Sequence, residues 1–245
     1  VEAGLRWKPI EHMLVGRINH AMTGGSLPGT VIALGGLNDI TPLASASRYA
    51  PGAANNWTQL PNMTTPRGEL AAATLNGTVF ALGGYYAGAL ASVEAFDLAA
   101  GAHWTLLAAS MTTPRYGHAA AVLRGLIYAA GGCKDANSNT VLASVERFDG
   151  GAHSTWALVA SMGTARKWFA LVALEEGGPS HHGGMLVAAG GYPGIASAEA
   201  YDPVADQWAA IAGMATARWG GAGAALGGKA YVSGGGNNNG NPLSS

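Results

Sequence analysis

Five arginines are the most regular charged residues in the sequence, and they are the first candidates for chemistry. Each closes a segment of the form M-x-x-x-R, at Arg17, Arg67, Arg115, Arg166 and Arg218. A guanidinium group binds a carboxylate or phosphate through two parallel N–H bonds, so a ring of these side chains would bind anions or acidic motifs. In the competing, structural hypothesis each arginine pairs with loop carbonyls or with a repeated acid, namely Glu94, Glu146 or Glu199.

Histidine and cysteine offer the other reactive groups. His20 and His118 each lie three residues after an arginine, and His181 and His182 lie in the insertion EEGGPSHHGG. The first pair falls in non-adjacent repeats and the second in a glycine-rich loop, so packed or solvated histidines are favoured over metal ligands. Cys133 is the only cysteine, which excludes an intrachain disulfide and a cysteine-based zinc site.

No nucleophile–base pair, phosphate-binding loop or pair of catalytic carboxylates stands in a recognisable motif. We therefore expect no enzymatic activity and no cofactor or metal.

Composition limits the class of protein and its partners. The 245 residues are 49% hydrophobic and 11% charged, which suffices for a core and excludes a charge-dominated disordered chain. A formal net charge of -1 gives no electrostatic reason to expect nucleic acid or an anionic membrane as partner. The single cysteine favours the cytoplasm, while the N-x-T sequons at Asn56, Asn62 and Asn76 would suit an extracellular protein. Asn76-Gly77 is better interpreted as a hairpin turn.

The arginines belong to an internal repeat, which decides the architecture. A glycine pair occurs five times, at Gly35-Gly36, Gly83-Gly84, Gly131-Gly132, Gly190-Gly191 and Gly234-Gly235. A tryptophan precedes the methionine of each M-x-x-x-R segment, at Trp7, Trp57, Trp104, Trp156 and Trp208. Between the glycine pair and the tryptophan lies SASRYAP, SVEAFDL, SVERFDG or SAEAYDP.

Each repeat contains four short strand signals, which we call A to D. In the third repeat they are Tyr116–Leu123, Leu126–Gly132, Leu142–Asp149 and Thr155–Ala160. No segment shows a helical apolar period. Four strands per repeat predict one all-β domain over residues 1–245, a propeller of four-stranded antiparallel blades. Glycine and alanine in strand A suit strands that converge on an axis. The aromatic residues of strands B, C and D would fill the space between blades, including Phe80, Phe96, Tyr128, Phe148, Tyr201 and Tyr231.

The glycine pair, the VE-F/Y-D segment, the tryptophan and M-x-x-x-R together resemble the kelch repeat, over about Leu5 to Ser245. The resemblance implies a propeller, usually of six blades and sometimes of five or seven. The first repeat departs from the pattern, because Ser47 replaces the glutamate found at Glu94, Glu146 and Glu199.

The repeat begins and ends out of phase, and two arrangements remain open. Trp7 marks a strand D with no strands A to C before it, and Gly234-Gly235 marks a strand B without a complete C and D after it. Either the N-terminal strand Leu5–Pro9 completes the last of five blades, or the chain is part of a six-bladed propeller. The terminal segment Asn241–Ser245 matches Thr41–Ser45, the entry to strand C.

The links between strands B and C vary while the frame stays constant. The kelch resemblance implies that they share a face with the D-to-A links and bind a partner. Besides the five arginines, the predicted contacts are Tyr85, Tyr86, Lys134, Asp135 and Tyr192, because tyrosine is favoured at interfaces.

We therefore expect a non-enzymatic protein-interaction module, whose rigid ring presents loops to another protein or a larger complex. One alternative is the substrate-recognition domain of a ubiquitin ligase adaptor, although no BTB-like segment is present. A second is an enzyme similar to galactose oxidase, which would need copper and a Cys–Tyr crosslink. Cys133 and Tyr128 share a repeat, but no convincing pair of histidine ligands accompanies them.

Overall fold

The computed structural model describes residues 12–25, 29–52, 56–135, 140–151, 153–175 and 183–243, and in these the regular structure is entirely β. The strands form five successive sheets, called blades one to five. Blade one contains β1 (Ala21–Gly24), β2 (Val31–Leu34), β5 (Ala46–Tyr49) and β6 (Trp57–Leu60), with a small hairpin of β3 (Leu37–Asn38) and β4 (Thr41–Pro42) between β2 and β5. Blade two contains β7 (Ala71–Leu75), β8 (Thr78–Leu82), β9 (Val93–Asp97) and β10 (Thr105–Leu106). Blade three contains β11 (Ala119–Leu123), β12 (Leu126–Ala130), β13 (Val145–Phe148) and β14 (Ala157–Val159). Blade four contains β15 (Ala170–Leu174), β16 (Met185–Ala189), β17 (Ala198–Asp202) and β18 (Gln207–Ile211), and blade five contains β19 (Ala222–Leu226) and β20 (Lys229–Ser233).

The first four blades are four-stranded antiparallel sheets in the order A, B, C, D, which confirms the predicted fold class. The strands predicted for the third repeat are all present, but each is shorter than its sequence signal. In blades two, three and five the A-to-B link is a two-residue hairpin turn, and Asn76 and Gly77 adopt the left-handed backbone (φ 50° and 78°) that such turns require.

Neighbouring blades meet at their A strands: β1 contacts β7, β7 contacts β11, β11 contacts β15, and β15 contacts β19.

Aromatic rings fill the space between blades. Phe148 stacks on Trp156 of its own blade with ring centroids 5.1 Å apart, and it meets the edge of Phe80 from blade two at 6.1 Å. Tyr128 and Tyr201 make the equivalent contact between blades three and four. The predicted role of the aromatic residues is thereby confirmed for these positions.

The glycine pairs allow the blades to approach. Gly83 has φ +53°, and a Cβ built there would lie 2.5 Å from the carbonyl oxygen of Arg115, on the link into blade three. The N–H of Gly84 donates a 2.9 Å hydrogen bond to that same carbonyl. Gly36, Gly132 and Gly191 repeat this bond to the next arginine along the chain. The pair is therefore a junction between blades, and a side chain there would push them apart.

Blade five differs from the others. Its strands β19 and β20 form a two-stranded sheet, and Tyr231 is half exposed, so the predicted packing of this ring between blades is wrong. A cavity of about 510 Å³ lies between blades four and five. The N–H of Leu243 donates to the carbonyl of Gly235 as that of Leu43 donates to Gly36, which confirms the match with the entry to strand C for the described part of the terminal segment, Asn241–Leu243. The proposed closing strand Leu5–Pro9 lies outside the described residues, as do His181 and His182.

Candidate functional site

One face of the propeller carries both the D-to-A links and the B-to-C links, and we call it the upper face. In each blade the residue after the repeat arginine pairs with the residue after the glycine pair. These antiparallel bridges are Ile18–Leu37, Gly68–Tyr85, Tyr116–Cys133, Lys167–Tyr192 and Trp219–Gly236. The expectation that the two sets of links share a face is thereby confirmed.

The repeat arginines lie beneath this face, inside their own blades. Arg115 has no exposed surface. Its Nη1 donates to the carbonyls of Gly131 (2.7 Å) and Ser144 (3.1 Å), and its Nη2 forms a 2.7 Å ion pair with Glu146 Oε1. The guanidinium of Arg115 therefore ties the link before strand A to strands B and C.

The same arrangement recurs around the ring with two departures. Arg67 pairs with Glu94 at 3.0 Å, and Arg166 pairs with Glu199 at 2.8 Å. Arg17 keeps the bonds to the carbonyls of Gly35 and Ser45 but has no glutamate partner, because Ser47 occupies the glutamate position in blade one. Arg218 donates to the carbonyl of Gly234.

The structural hypothesis for the arginines is confirmed by these contacts. The five arginines, at positions 17, 67, 115, 166 and 218, are all buried and turned into their own blades. The prediction that they contact a partner or an anion is not supported, because the enclosed guanidinium groups are already bonded to carbonyls and carboxylates.

The paired glutamates also hold the links in place. Glu146 Oε2 accepts hydrogen bonds from the backbone N–H of Thr112 (2.6 Å) and its hydroxyl (2.6 Å), and Oε1 accepts from the N–H of Thr113 (3.1 Å). Burial raises the pKa of Glu146, but the bonds from Thr112 and Arg115 outweigh burial and leave the pKa below its ordinary value. Glu94 and Glu199 behave in the same way.

The predicted contact residues of the B-to-C links all lie on the upper face. Tyr86 and Tyr192 are 48% and 43% exposed. Tyr85 is partly buried, with its ring centroid 5.3 Å from that of Tyr116. Lys134 is exposed, and the carbonyl of Asp135 accepts a 2.9 Å hydrogen bond from the hydroxyl of Tyr116.

An aromatic cluster on the D-to-A links was missed by the sequence interpretation. The ring of Trp168 lies 5.5 Å from Tyr192 and 5.8 Å from Trp219, measured between centroids. The ammonium of Lys167 packs over Trp168 at 4.4 Å and over Tyr192 at 4.8 Å. Lys167, Trp168 and Trp219 occupy the first or second position after a repeat arginine, and the variation of these positions inside a constant frame was the available signal.

The residues at the second position after each arginine form a hydrogen-bonded series at the mouth of the central channel, which we call the mouth ring. Its members are Asn19, Glu69, Gly117, Trp168 and Gly220, and all five have φ between 51° and 69°. The N–H of each of the last four donates to the carbonyl of the preceding member at 2.7–3.0 Å. A glutamate and a tryptophan in left-handed backbone are uncommon, and such strain clusters at functional sites.

Below this ring lies a cavity of about 130 Å³, which we call the mouth cavity. It is lined by Asn19, His20, Glu69, Leu70, Gly117, His118 and Trp168. The indole Nε1–H of Trp168 donates a 2.8 Å hydrogen bond across the mouth to Glu69 Oε2. Gly117 lies under this bond, since a Cβ there would come within 2.7 Å of the indole nitrogen.

The two histidines of the cavity are held neutral. Burial, with a smaller contribution from Arg115, lowers the pKa of His118 well below its ordinary value, and burial lowers that of His20. His118 is buried, and neither ring nitrogen has a hydrogen-bond partner. Among the described residues, no group of three or more His, Cys, Asp or Glu side chains is placed to hold a metal ion.

Cys133 has a local structural contact. It is buried, and its thiol donates to the carbonyl of Thr140 at 3.3 Å. Tyr128 packs against Tyr201 between blades three and four. The part of the chain that the structure describes has no helix of the length and apolarity needed to cross a membrane.

Comparisons with known proteins agree with the fold. Residues 66–108 and 114–163 match the family model described as the Kelch motif. The solved structure titled "Structure of YjhT" superposes with a TM-score of 0.73 over 93% of this chain and 75% of that one, at 16% sequence identity. No curated protein matches the sequence significantly. The two matched segments are therefore kelch motifs, and the chain as a whole has the fold of a β-propeller.

Proposed function

We propose that this propeller is a non-enzymatic protein-interaction module that binds its partner protein through the upper face. The observation that carries the proposal is the apolar and aromatic surface exposed there. Ile40 is 90% exposed, and Leu14, Ile18, Tyr86 and Tyr192 are each more than 40% exposed. Other parts of the surface also expose apolar side chains, but on this face they accompany the packed rings of Trp168, Tyr192 and Trp219, and such an apolar and aromatic surface is typical of a contact surface.

The charge distribution supports the same proposal. The arginines are internal, and among the described residues this leaves Asp39, Glu69, Lys134 and Asp135 as the main charged side chains of the upper face. The centre of a protein interface is characteristically poor in charge and rich in Tyr and Trp. The cluster of Trp168, Tyr192 and Trp219 meets that description and lies beside the channel mouth.

The rigidity of the links on the upper face also supports the proposed binding function. The backbone bridges, the mouth ring and the buried Arg–Glu pairs all fix the links that carry the exposed side chains. Loops held in one conformation lose little entropy on binding, so more of the contact energy is available for affinity.

Affinity capture with quantitative mass spectrometry tests this function. The upper-face variant is Ile40→Ser with Tyr86→Ser. The matched control is Val204→Ser with Leu226→Ser, because these residues are 74% and 73% exposed on the opposite face, in the C-to-D turn of blade four and at the end of β19. We expect the upper-face variant to lose the proteins that the wild type and the control capture. Equal recovery by all three would contradict the proposal.

A further inference from the structure

Three polar side chains of the mouth cavity offer hydrogen-bond acceptors to a ligand. Glu69 contributes a carboxylate, Asn19 an amide oxygen and His20 an imidazole nitrogen, whereas the ring nitrogens of His118 have almost no exposed surface. A ligand with several N–H or O–H donors matches these acceptors.

Glu69 supplies the negative charge of the cavity. Its single side-chain hydrogen bond comes from Trp168, on Oε2, and it forms no ion pair with any other described residue within 4.0 Å. Burial raises the pKa of Glu69 above its ordinary value. A partly buried carboxylate that has no cation in contact is strongly stabilised when a positively charged donor forms an ion pair with it.

The neighbouring cations form no ion pair with Glu69, although the charge of Lys167 partly offsets the effect of burial on the pKa of Glu69. Lys167 is buried, with its ammonium over the rings of Trp168 and Tyr192. Arg115 lies close enough to lower the pKa of His118, but it is paired with Glu146. Their positive field opposes a second cation, so the entering group must recover that cost through several hydrogen bonds at once.

We propose that an arginine side chain of the partner protein enters the channel mouth and binds Glu69. A guanidinium carries five N–H donors in a planar fork, which suits a carboxylate flanked by further acceptors. Its flat face also stacks on an aromatic ring, and Trp168 stands at the cavity wall. The inference rests on the proposed function, because it names the side chain that anchors the partner on the upper face.

An acidic side chain fits the mouth less well. It would meet Glu69 directly, and the guanidinium groups that could attract it are enclosed in their own blades. An acid would therefore have to displace Lys167 from between Trp168 and Tyr192.

Titration with short peptides tests the inference without the partner. The probes are acetyl-Gly-Arg-Gly-amide and acetyl-Gly-Glu-Gly-amide, and the readout is the indole N–H resonance of Trp168 in nitrogen-15-labelled protein, assigned with Trp168→Phe. We expect a saturable shift with the arginine peptide, a dissociation constant of order millimolar as for one anchoring side chain, and no saturable shift with the glutamate peptide.

The decisive variant is Glu69→Gln, which keeps an acceptor for Trp168 and removes the charge. We expect it to weaken the arginine peptide about tenfold or more, since a charged pair would be lost. Asp39→Asn is the matched control, because it removes an exposed carboxylate whose backbone is also left-handed (φ 53°), and it should leave binding unchanged. The inference is overturned by equal binding to Glu69→Gln, by an equal response to the glutamate peptide, or by no shift up to about 50 mM peptide.

Failure of this inference is distinguishable from failure of the proposed function. If Glu69→Gln captures the partner normally while Ile40→Ser with Tyr86→Ser does not, the upper face binds the partner without an arginine in the mouth. If neither variant changes capture, the upper face is not the binding surface.

Discussion

At the residue scale, the fold depends on charges that are buried in pairs. Arg115 and Glu146 have no exposed surface, and they bond to each other and to the backbone of the links. Removing one member of such a pair leaves the other desolvated without its counter-charge, which typically costs about 3–5 kcal/mol.

We therefore expect Arg115→Met to lower the free energy of unfolding by about 3–5 kcal/mol. Arg17→Met should cost less, about 1–2 kcal/mol, because Arg17 bonds to carbonyls and the hydroxyl of Ser45 and has no carboxylate partner among the described residues. Urea unfolding of the two variants measures the difference. Equal losses in the free energy of unfolding would show that the ion pair adds nothing to stability.

The same glutamates predict how stability depends on pH. Although burial raises their pKa values, hydrogen bonds hold the folded pKa values of Glu94, Glu146 and Glu199 below the ordinary 4.5. Their contribution is therefore fully present above pH 4.5, and it is lost as the pH falls through the lowered folded values.

Urea midpoints measured from pH 7 down to pH 3 check this dependence. His118 adds a separate loss below pH 6.5, because its folded pKa is lowered, so the series is run in His118→Leu, which copies Leu70 at the same repeat position. Adding Glu146→Gln should flatten the fall below pH 4.5, and an unchanged slope would contradict the assignment.

Sequence reasoning reached the arginine–glutamate pairing because both residues repeat at fixed positions. Sequence reasoning did not identify Glu69, Lys167, Trp168 or Trp219, because the other repeats do not carry the same residue at the equivalent position. Only the fold brings Glu69 and Trp168, from different blades, within one hydrogen bond of each other.

At the element scale, the glycine pair is the joint that lets successive blades contact each other. The first glycine faces the carbonyl of the next repeat arginine, and the second donates to it. The strands themselves were predictable, because hairpin turns and apolar runs are local signals. The exposure of Tyr231 could not be predicted in this way, because the burial of a side chain depends on neighbouring strands, which local sequence patterns do not identify.

We expect Gly83→Ala to destabilise the protein more than Gly77→Ala. Both glycines have positive φ, so both variants carry the backbone strain of about 1 kcal/mol. A Cβ at Gly83 also meets the carbonyl of Arg115 at 2.5 Å, whereas nothing lies within 4 Å at Gly77. Thermal unfolding of the two variants compares these costs, and equal melting temperatures would refute the junction role of the pair.

At the scale of the whole molecule, both faces of the propeller expose apolar side chains, but the cluster of Trp168, Tyr192 and Trp219 lies on the upper face. The upper face gathers aromatic rings and apolar side chains around the channel mouth, and the buried network beneath holds them in place. The kelch resemblance predicted that the D-to-A and B-to-C links share this face. Which side chains are exposed on it could be determined only from the fold.

The central claim is that the upper face binds the partner protein. Its most direct test is the dissociation constant of the purified partner for three proteins: the wild type, Ile40→Ser with Tyr86→Ser, and Val204→Ser with Leu226→Ser. We predict at least about a tenfold loss of affinity in the upper-face variant, equivalent to about 1.4 kcal/mol, and none in the lower-face control. A dissociation constant that changes only in the lower-face variant would contradict the account.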